Sequence, residues 1–177
     1  MLSQAPPQPT DAYFGQKDIQ QALILRRLCR DLLLAHPEPD HLHIITTARD
    51  PTDGLALSSR NMYLSTAERR FAPTFYEALL LAEKAWNQGR TTSESIEEAI
   101  QLIRSRIQAA NDSLERVDIK LDYVEMNDAE TFEKLEDSRT KSQEDDIILS
   151  GALWVGKTRL IDNILIRAMW SKMVGDF

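Results

Sequence analysis

Four short groups of side chains in this 177-residue chain are of types that could do chemistry. The first is Phe14 to Asp18 (FGQKD). A glycine such as Gly15 lets the backbone approach a ligand closely. Lys17 stands just before an expected helix start, where unpaired N–H groups and the helix dipole favour anions. A lysine there can hold a phosphate or carboxylate as a mobile point charge. The plainer alternative makes Asp18 an N-cap, Gln21 its capping-box partner and Lys17 a solvated side chain. The second group is Ser58 to Asn61 (SSRN). Two hydroxyls and the Arg60 guanidinium at the end of a turn-rich loop can wrap a triphosphate. The alternative is a polar loop before a helix.

The third group is His36, His41 and His43. His41 and His43 share a face if both lie in a strand, with Asp40 adjacent. No cysteine or further histidine supports a metal, and prolines surround the group. It is therefore read as a surface loop, and no metal ligand is assigned. The fourth is Arg159 to Asn163 (RLIDN), where an Asp or Asn buried in a strand either meets a substrate or ties backbone amides; the second reading is preferred. The sequence has no G-x-G-x-x-G and no G-x-S-x-G.

Composition narrows the classes. Apolar residues make up 42% and charged residues 28%, as in ordinary globular chains. Twenty-one Lys and Arg face 28 Asp and Glu, a formal charge of -7. That balance argues against a nucleic-acid binder, and no polybasic segment suits an anionic membrane. Acidity leaves room for a local cationic pocket. Cys29 is the single cysteine, so no internal disulfide or Cys-rich zinc site forms. No apolar run approaches the ~20 residues of a membrane helix. Met1 to Thr10 lacks the basic and apolar regions of a signal peptide and is read as a flexible tail. A cytoplasmic protein is expected.

Elements must position these groups. Asp18 to Ala35 is expected to be a helix burying Ile19, Leu23, Leu28 and Leu32, started by the D-x-x-Q spacing of Asp18 and Gln21. HPEPD then breaks it. His43 to Thr47 is β-branched and strand-like, which leaves an orphan α/β turn. Arg49 to Asn61 is a polar loop with turn signals at Pro51 and Asp53-Gly54. Ser65 to Glu68 is a capping box for a helix carrying Phe71, Phe75, Leu79, Ala82 and Trp86, stopped at Gly89. A second helix starts near Ser93, carries Ile96, Ile100, Ile103 and Ile107, and ends near Asn111. Val117 to Met126 reads as a strand and Phe132 to Asp146 as a solvated charged loop. Ile147–Val155 and Arg159–Ile166 flank Gly156-Lys157 as a two-residue hairpin. The fold expected is two helices on a small, mainly antiparallel sheet, preceded by an α/β fragment, with a boundary near Ala48.

Taken together, AYFGQKDIQQ, RDPTDGLALSSRNMYLS, LDYVEMNDAETFEKL and ILSGALWVGKTRLIDN occur in the order of the pantothenate synthetase (pantoate–β-alanine ligase) family. The chain resembles that family from Ala12 to Asn163. The resemblance implies a Rossmann-like nucleotidyltransferase domain with a smaller C-terminal domain over the active site. It implies ATP, with Mg2+, activating pantoate as a pantoyl adenylate, which β-alanine converts to pantothenate and AMP. No tightly bound cofactor is implied. Gly15, Gln16, Lys17 and Asp18 match an ATP-contacting segment, and Gln21 a pantoate-binding glutamine. Ala48 matches a position near the adenine where valine is more familiar. Leu57, Ser58, Ser59 and Arg60 match a mobile loop similar to the KMSKS loop of class I aminoacyl-tRNA synthetases. Lys17, Ser58, Ser59 and Arg60 are the implied catalytic groups.

Two departures stand out. RDPTDG is one residue longer than the family's R-E-x-D-G. The H-x-G-H motif of the family's first half does not occur, and no histidine precedes His36. The expectation is therefore a C-terminal part. Residues 1–47 would hold a flexible tail and the last α/β turn of a truncated Rossmann-like domain, and 48–177 an α+β lid. The expected assembly is a homodimer, or a partner supplying the front half. The alternative is a non-catalytic binding or assembly module of the same fold.

Overall fold

The computed structural model describes residues 10–142 and 146–167. The segment 1–9, read above as most of a flexible tail, lies outside the described residues, as do 143–145 and 168–177. The chain divides between Thr47 and Ala48 into two compact units.

The first unit is β–α–β. Strand β1 (Ala12–Gly15) leads through a 3-10 turn at Gln16–Asp18 into helix α1 (Ile19–Asp31). Strand β2 (Leu42–Ile45) then pairs with β1 in parallel, Phe14 opposite Ile44. The orphan α/β turn thus finds its partner in AYFG, whose four residues are too few for alternation to show.

Several expectations for this unit are corrected. Asp18 is the N-cap of α1, but its side chain makes no capping hydrogen bond, so the box with Gln21 does not form. The preceding 3-10 turn gives Asp18 a backbone (φ -103, ψ 50) outside the extended geometry an N-cap side chain needs. The helix ends at Asp31 rather than Ala35. Leu33 turns left-handed (φ 50), its N–H donates to the Arg30 carbonyl, and the Leu34 N–H donates to the Cys29 carbonyl. That is a Schellman ending with leucine where glycine is usual. The buried face is Ile19, Ala22 and Cys29, whereas Leu28 and Leu32 are 45% and 60% exposed.

The second unit is α+β. Helix α2 (Thr66–Phe71) starts on the full Ser65–Glu68 capping box. The long helix expected from Ser65 is interrupted at Pro73, which has no N–H to continue the ladder. Helix α3 (Thr74–Asn87) follows and ends before Gly89 (φ 84). Helix α4 (Thr92–Asn111) starts on a second capping box, Thr91 with Glu94, one residue before the expected Ser93. Strands β3 (Ile119–Asp128), β4 (Ile147–Val155) and β5 (Thr158–Ile166) form an antiparallel sheet in sequence order. Gly156 alone has positive φ in the β4–β5 turn, as the two-residue loop requires.

Helices α3 and α4 pack on one face of this sheet. Phe75, Leu79, Trp86 and Ile103 meet Met126, Leu149 and Leu153, all nearly fully buried. Gly151 lets α3 approach: a Cβ there would lie 2.4 Å from the Tyr123 carbonyl and 3.0 Å from the Phe75 ring. The charged loop after β3 is not wholly solvated. Leu135 is buried, its N–H donates to the Met126 carbonyl, and the Asp137 and Arg139 carbonyls accept from Ser93 and Thr92 at the start of α4. Those carbonyls satisfy helix donors that otherwise face water.

Candidate functional site

The candidate residues fall in both units. Gly15 ends β1, Gln16, Lys17 and Asp18 form the 3-10 turn, and Gln21 stands exposed in the first turn of α1. Gly15 has φ -73, and a Cβ on it would meet nothing within 4 Å. Nothing within the described chain therefore demands glycine there. Lys17 is half-buried.

In the same unit, one oxygen of Asp11 (Oδ1) accepts from both His41 Nδ1 and His43 Nε2 at 2.9 Å. Those bonds, His43's first, hold the Asp11 carboxyl below its ordinary range. Tyr13 stacks on His43 with ring centroids 4.9 Å apart. Among the described residues no group of three or more His, Cys, Asp or Glu is arranged to hold a metal.

The second unit carries Ala48 and Leu57 to Arg60 on a closed hairpin. The Leu57 N–H donates to the Ala48 carbonyl and the Asp50 N–H to the Leu55 carbonyl, with Arg49 bridged to Ala56. Gly54 closes the tip with φ 75. Ser58 then N-caps a 3-10 turn, Ser59–Tyr63, its Oγ accepting from the Arg60 N–H at 3.2 Å. Asn61 Nδ2 ties the turn back to the Ala56 carbonyl at 3.0 Å. Ser59 and Arg60 are left exposed. The turn therefore offers hydroxyl and guanidinium donors to solvent from a fixed backbone.

Two ion-pair groups hold the hairpin, and sequence reading missed both. Arg49 donates to both oxygens of Asp162 on β5, at 2.6 and 2.9 Å, and to the Gly54 carbonyl at 3.2 Å. Its guanidinium lies 3.4 Å above the Tyr76 ring of α3. Within RLIDN, Asp162 is expected to tie backbone amides. It does accept from the Asn163 N–H, but the arginine is its main partner. On the other side, Arg69 of α2 donates to Asp53 and, at 3.0 Å, to Asp50. The only sequence signal for either group is the arginine-led R-D-x-x-D-G pattern itself.

Asp50 also accepts from the Thr52 hydroxyl at 2.5 Å and its N–H at 2.9 Å. These bonds, the hydroxyl's first, then Arg69, hold the Asp50 carboxyl below its ordinary value. A depressed carboxyl contributes stability fully above its unfolded pKa and loses it as pH falls through the lower folded one. The hairpin should loosen below about pH 4. Amide exchange at Thr52 followed against pH checks this. An Asp50→Asn chain with the same acid response would show that another group is responsible.

A separate cleft of about 810 Å³ is lined by Tyr63, Ser65, Glu68, Arg116, Asp118 and Lys157 among others; none of the candidate residues lines it. No helix among the described residues is long and apolar enough to cross a membrane.

A parallel βαβ unit followed by a separate α+β unit makes this a two-part protein of mixed α/β class. The chain belongs to the pantoate-beta-alanine ligase family, whose model matches residues 5–165. It is 40% identical over 159 residues to a pantothenate synthetase of Herpetosiphon aurantiacus, covering 90% of this chain and 51% of that protein. A pantothenate synthetase of Thermotoga petrophila is 42% identical over 158 residues, 89% of this chain and 50% of its own length. Among solved structures, a pantothenate synthetase from Thermus thermophilus superposes with a TM-score of 0.69 at 34% identity, covering 90% of this chain and 50% of that one. The pantoate-beta-alanine ligase of Francisella tularensis, solved in complex with beta-gamma ATP and β-alanine, gives a TM-score of 0.50 at 26% identity. It is covered over 44% of its length. The chain thus spans about half the length of the curated relatives it matches.

Proposed function

We propose that the chain is the ATP-gating and pantoate-contacting part of a ligase that joins pantoate to β-alanine. In that reaction a pantoate carboxylate oxygen attacks the α-phosphorus of ATP, supplied as its Mg2+ complex, and the bond to pyrophosphate breaks. The β-alanine amine then attacks the acyl carbon, AMP leaves, and the amine gives up a proton. The chain's part is positioning and charge stabilisation of the phosphates. Gly15, Gln16, Lys17 and Asp18 contact ATP from the 3-10 turn. Ala48 and Leu57 border the nucleotide, and Ser58, Ser59 and Arg60 meet the triphosphate. Lys17, Ser58, Ser59 and Arg60 are the groups acting on the reacting phosphates, and Gln21 contacts pantoate. The first unit is the end of a Rossmann-like domain and the second a lid that excludes water from the adenylate. A front half bearing H-x-G-H, on the same polypeptide or a partner, completes the site, and the assembly is a cytoplasmic dimer.

One observation carries this reading. In a chain of this family, the turn after the arginine-led hairpin presents exposed Ser59 and Arg60 from a backbone fixed at Ser58 and Asn61. Gly15 supports it, since a glycine with no internal requirement is suited to close approach by a ligand.

The purified 177-residue chain, given ATP, pantoate and β-alanine, should bind ATP and form no pantothenate. Adding a front-half polypeptide should restore pantothenate formation. Sustained turnover by the chain alone would overturn the division of labour. Failure to bind ATP, with or without the front half, would leave the non-catalytic module as the better reading.

A further inference from the structure

We infer that Arg49 is a positioning residue, which fixes the nucleotide-facing turn Ser58–Arg60 through its fork on Asp162 and its stack on Tyr76. The inference rests on the proposed function for what the turn holds, and on geometry alone for how the turn is held.

Arg49 is the second residue of the second unit. From there its guanidinium reaches two elements far along the chain: Asp162 in the middle of β5 and Tyr76 in α3. Asp162 lies on the core face, opposite Gly151, and its side chain is only 4% exposed. A planar fork seated on both oxygens of a buried carboxylate fixes direction as well as distance. The same guanidinium donates to the Gly54 carbonyl, so one side chain ties the base of the hairpin to its tip. Gly54 itself passes close to Tyr76: a Cβ on it would lie 3.2 Å from the ring.

Hydrogen bonds link the brace to the turn. Arg49 bridges Ala56, Leu57 bonds Ala48, and the Ala56 carbonyl accepts from Asn61. Ser58 therefore leaves a hairpin held at its base, and the Arg60 N–H is already occupied by Ser58 Oγ. A turn so held presents its donors with little further ordering when a ligand arrives. The Arg49 guanidinium is engaged by Asp162, Gly54 and Tyr76, so its effect on a nucleotide passes through the hairpin.

Arg49→Lys tests this in the whole chain. Lysine keeps the charge and loses the fork and the ring stack. The expected result is amide exchange at Leu57 and Asn61 about tenfold faster, with α4 unchanged. ATP, used alone as the probe in equilibrium dialysis, should bind about tenfold more weakly while the midpoint of urea unfolding moves little. Tyr76→Leu, which keeps the ion pair and removes the ring, should give a smaller change of the same pattern and decides the matter if Arg49→Lys does not fold. Unchanged exchange in the hairpin, or equal acceleration throughout the unit, would overturn the inference. If exchange responds as expected but the unaltered chain does not bind ATP, the brace stands and the nucleotide reading of the turn fails.

Discussion

Replacing Arg60 by alanine in a complete ligase that contains this segment is expected to slow adenylate formation by about a hundredfold, the scale of losing one preorganised, charge-assisted donor at a developing negative charge. Arg60 is exposed and its backbone is fixed by the Ser58 cap, so removing the side chain costs little folding stability. On the proposed function its charge would meet the triphosphate most fully as pyrophosphate begins to leave, so the loss should fall on the rate more than on substrate binding. Pantoate affinity should stay near normal, because Gln21, in the other unit, is the group assigned to it. Lysine should rescue poorly, having no planar fork. Pre-steady-state adenylate formation, with pantoate binding measured separately, checks both statements. Normal adenylation would return Ser58–Asn61 to a polar loop.

Arg49→Ala should destabilise the second unit by about 3–5 kcal/mol, the usual cost of leaving one charge of a buried pair without its partner. The Asp162 carboxylate, 4% exposed, would keep only the Asn163 N–H among its bonds described above. Arg49→Met combined with Asp162→Leu removes both charges and should recover most of the loss, since apolar replacements of buried pairs are often neutral. Urea unfolding of the two variants decides. A loss below about 1 kcal/mol for Arg49→Ala would mean that water reaches Asp162 and that the pair behaves as a surface one.

Local signals in the sequence were good guides where the structure is local. The Ser65–Glu68 box, the Gly89 stop and the Gly156-Lys157 turn each involve residues within a few positions of one another, and each forms. The fold of the second unit follows from them. Local signals misled where a neighbour along the chain was overruled from elsewhere. Leu28 and Leu32 look like core by composition, yet the face α1 buries passes through Ile19, Ala22 and Cys29. The helix stop at Leu33 has no glycine to announce it. The charged stretch after β3 gave no period because its role is carried by backbone carbonyls, on which side-chain composition is silent. The site splits the same way. SSRN and its cap can be read from adjacent residues. The Arg49 brace cannot, because Asp162 lies 113 positions away and Tyr76 carries no mark of its partner.

That span has a consequence for how the chain is made. The α3–α4 pair and the β4–β5 hairpin close over short stretches of chain. Arg49 emerges early but must wait for Asp162, near the end of the unit, before its guanidinium can settle. The segment bearing Ser58 and Arg60 is therefore among the last parts of its unit to take final shape during synthesis. A chain stalled before residue 162 would leave Arg49 unanchored, so protease should cut between the start of the unit and α2 more readily there than in a chain that has emerged past β5.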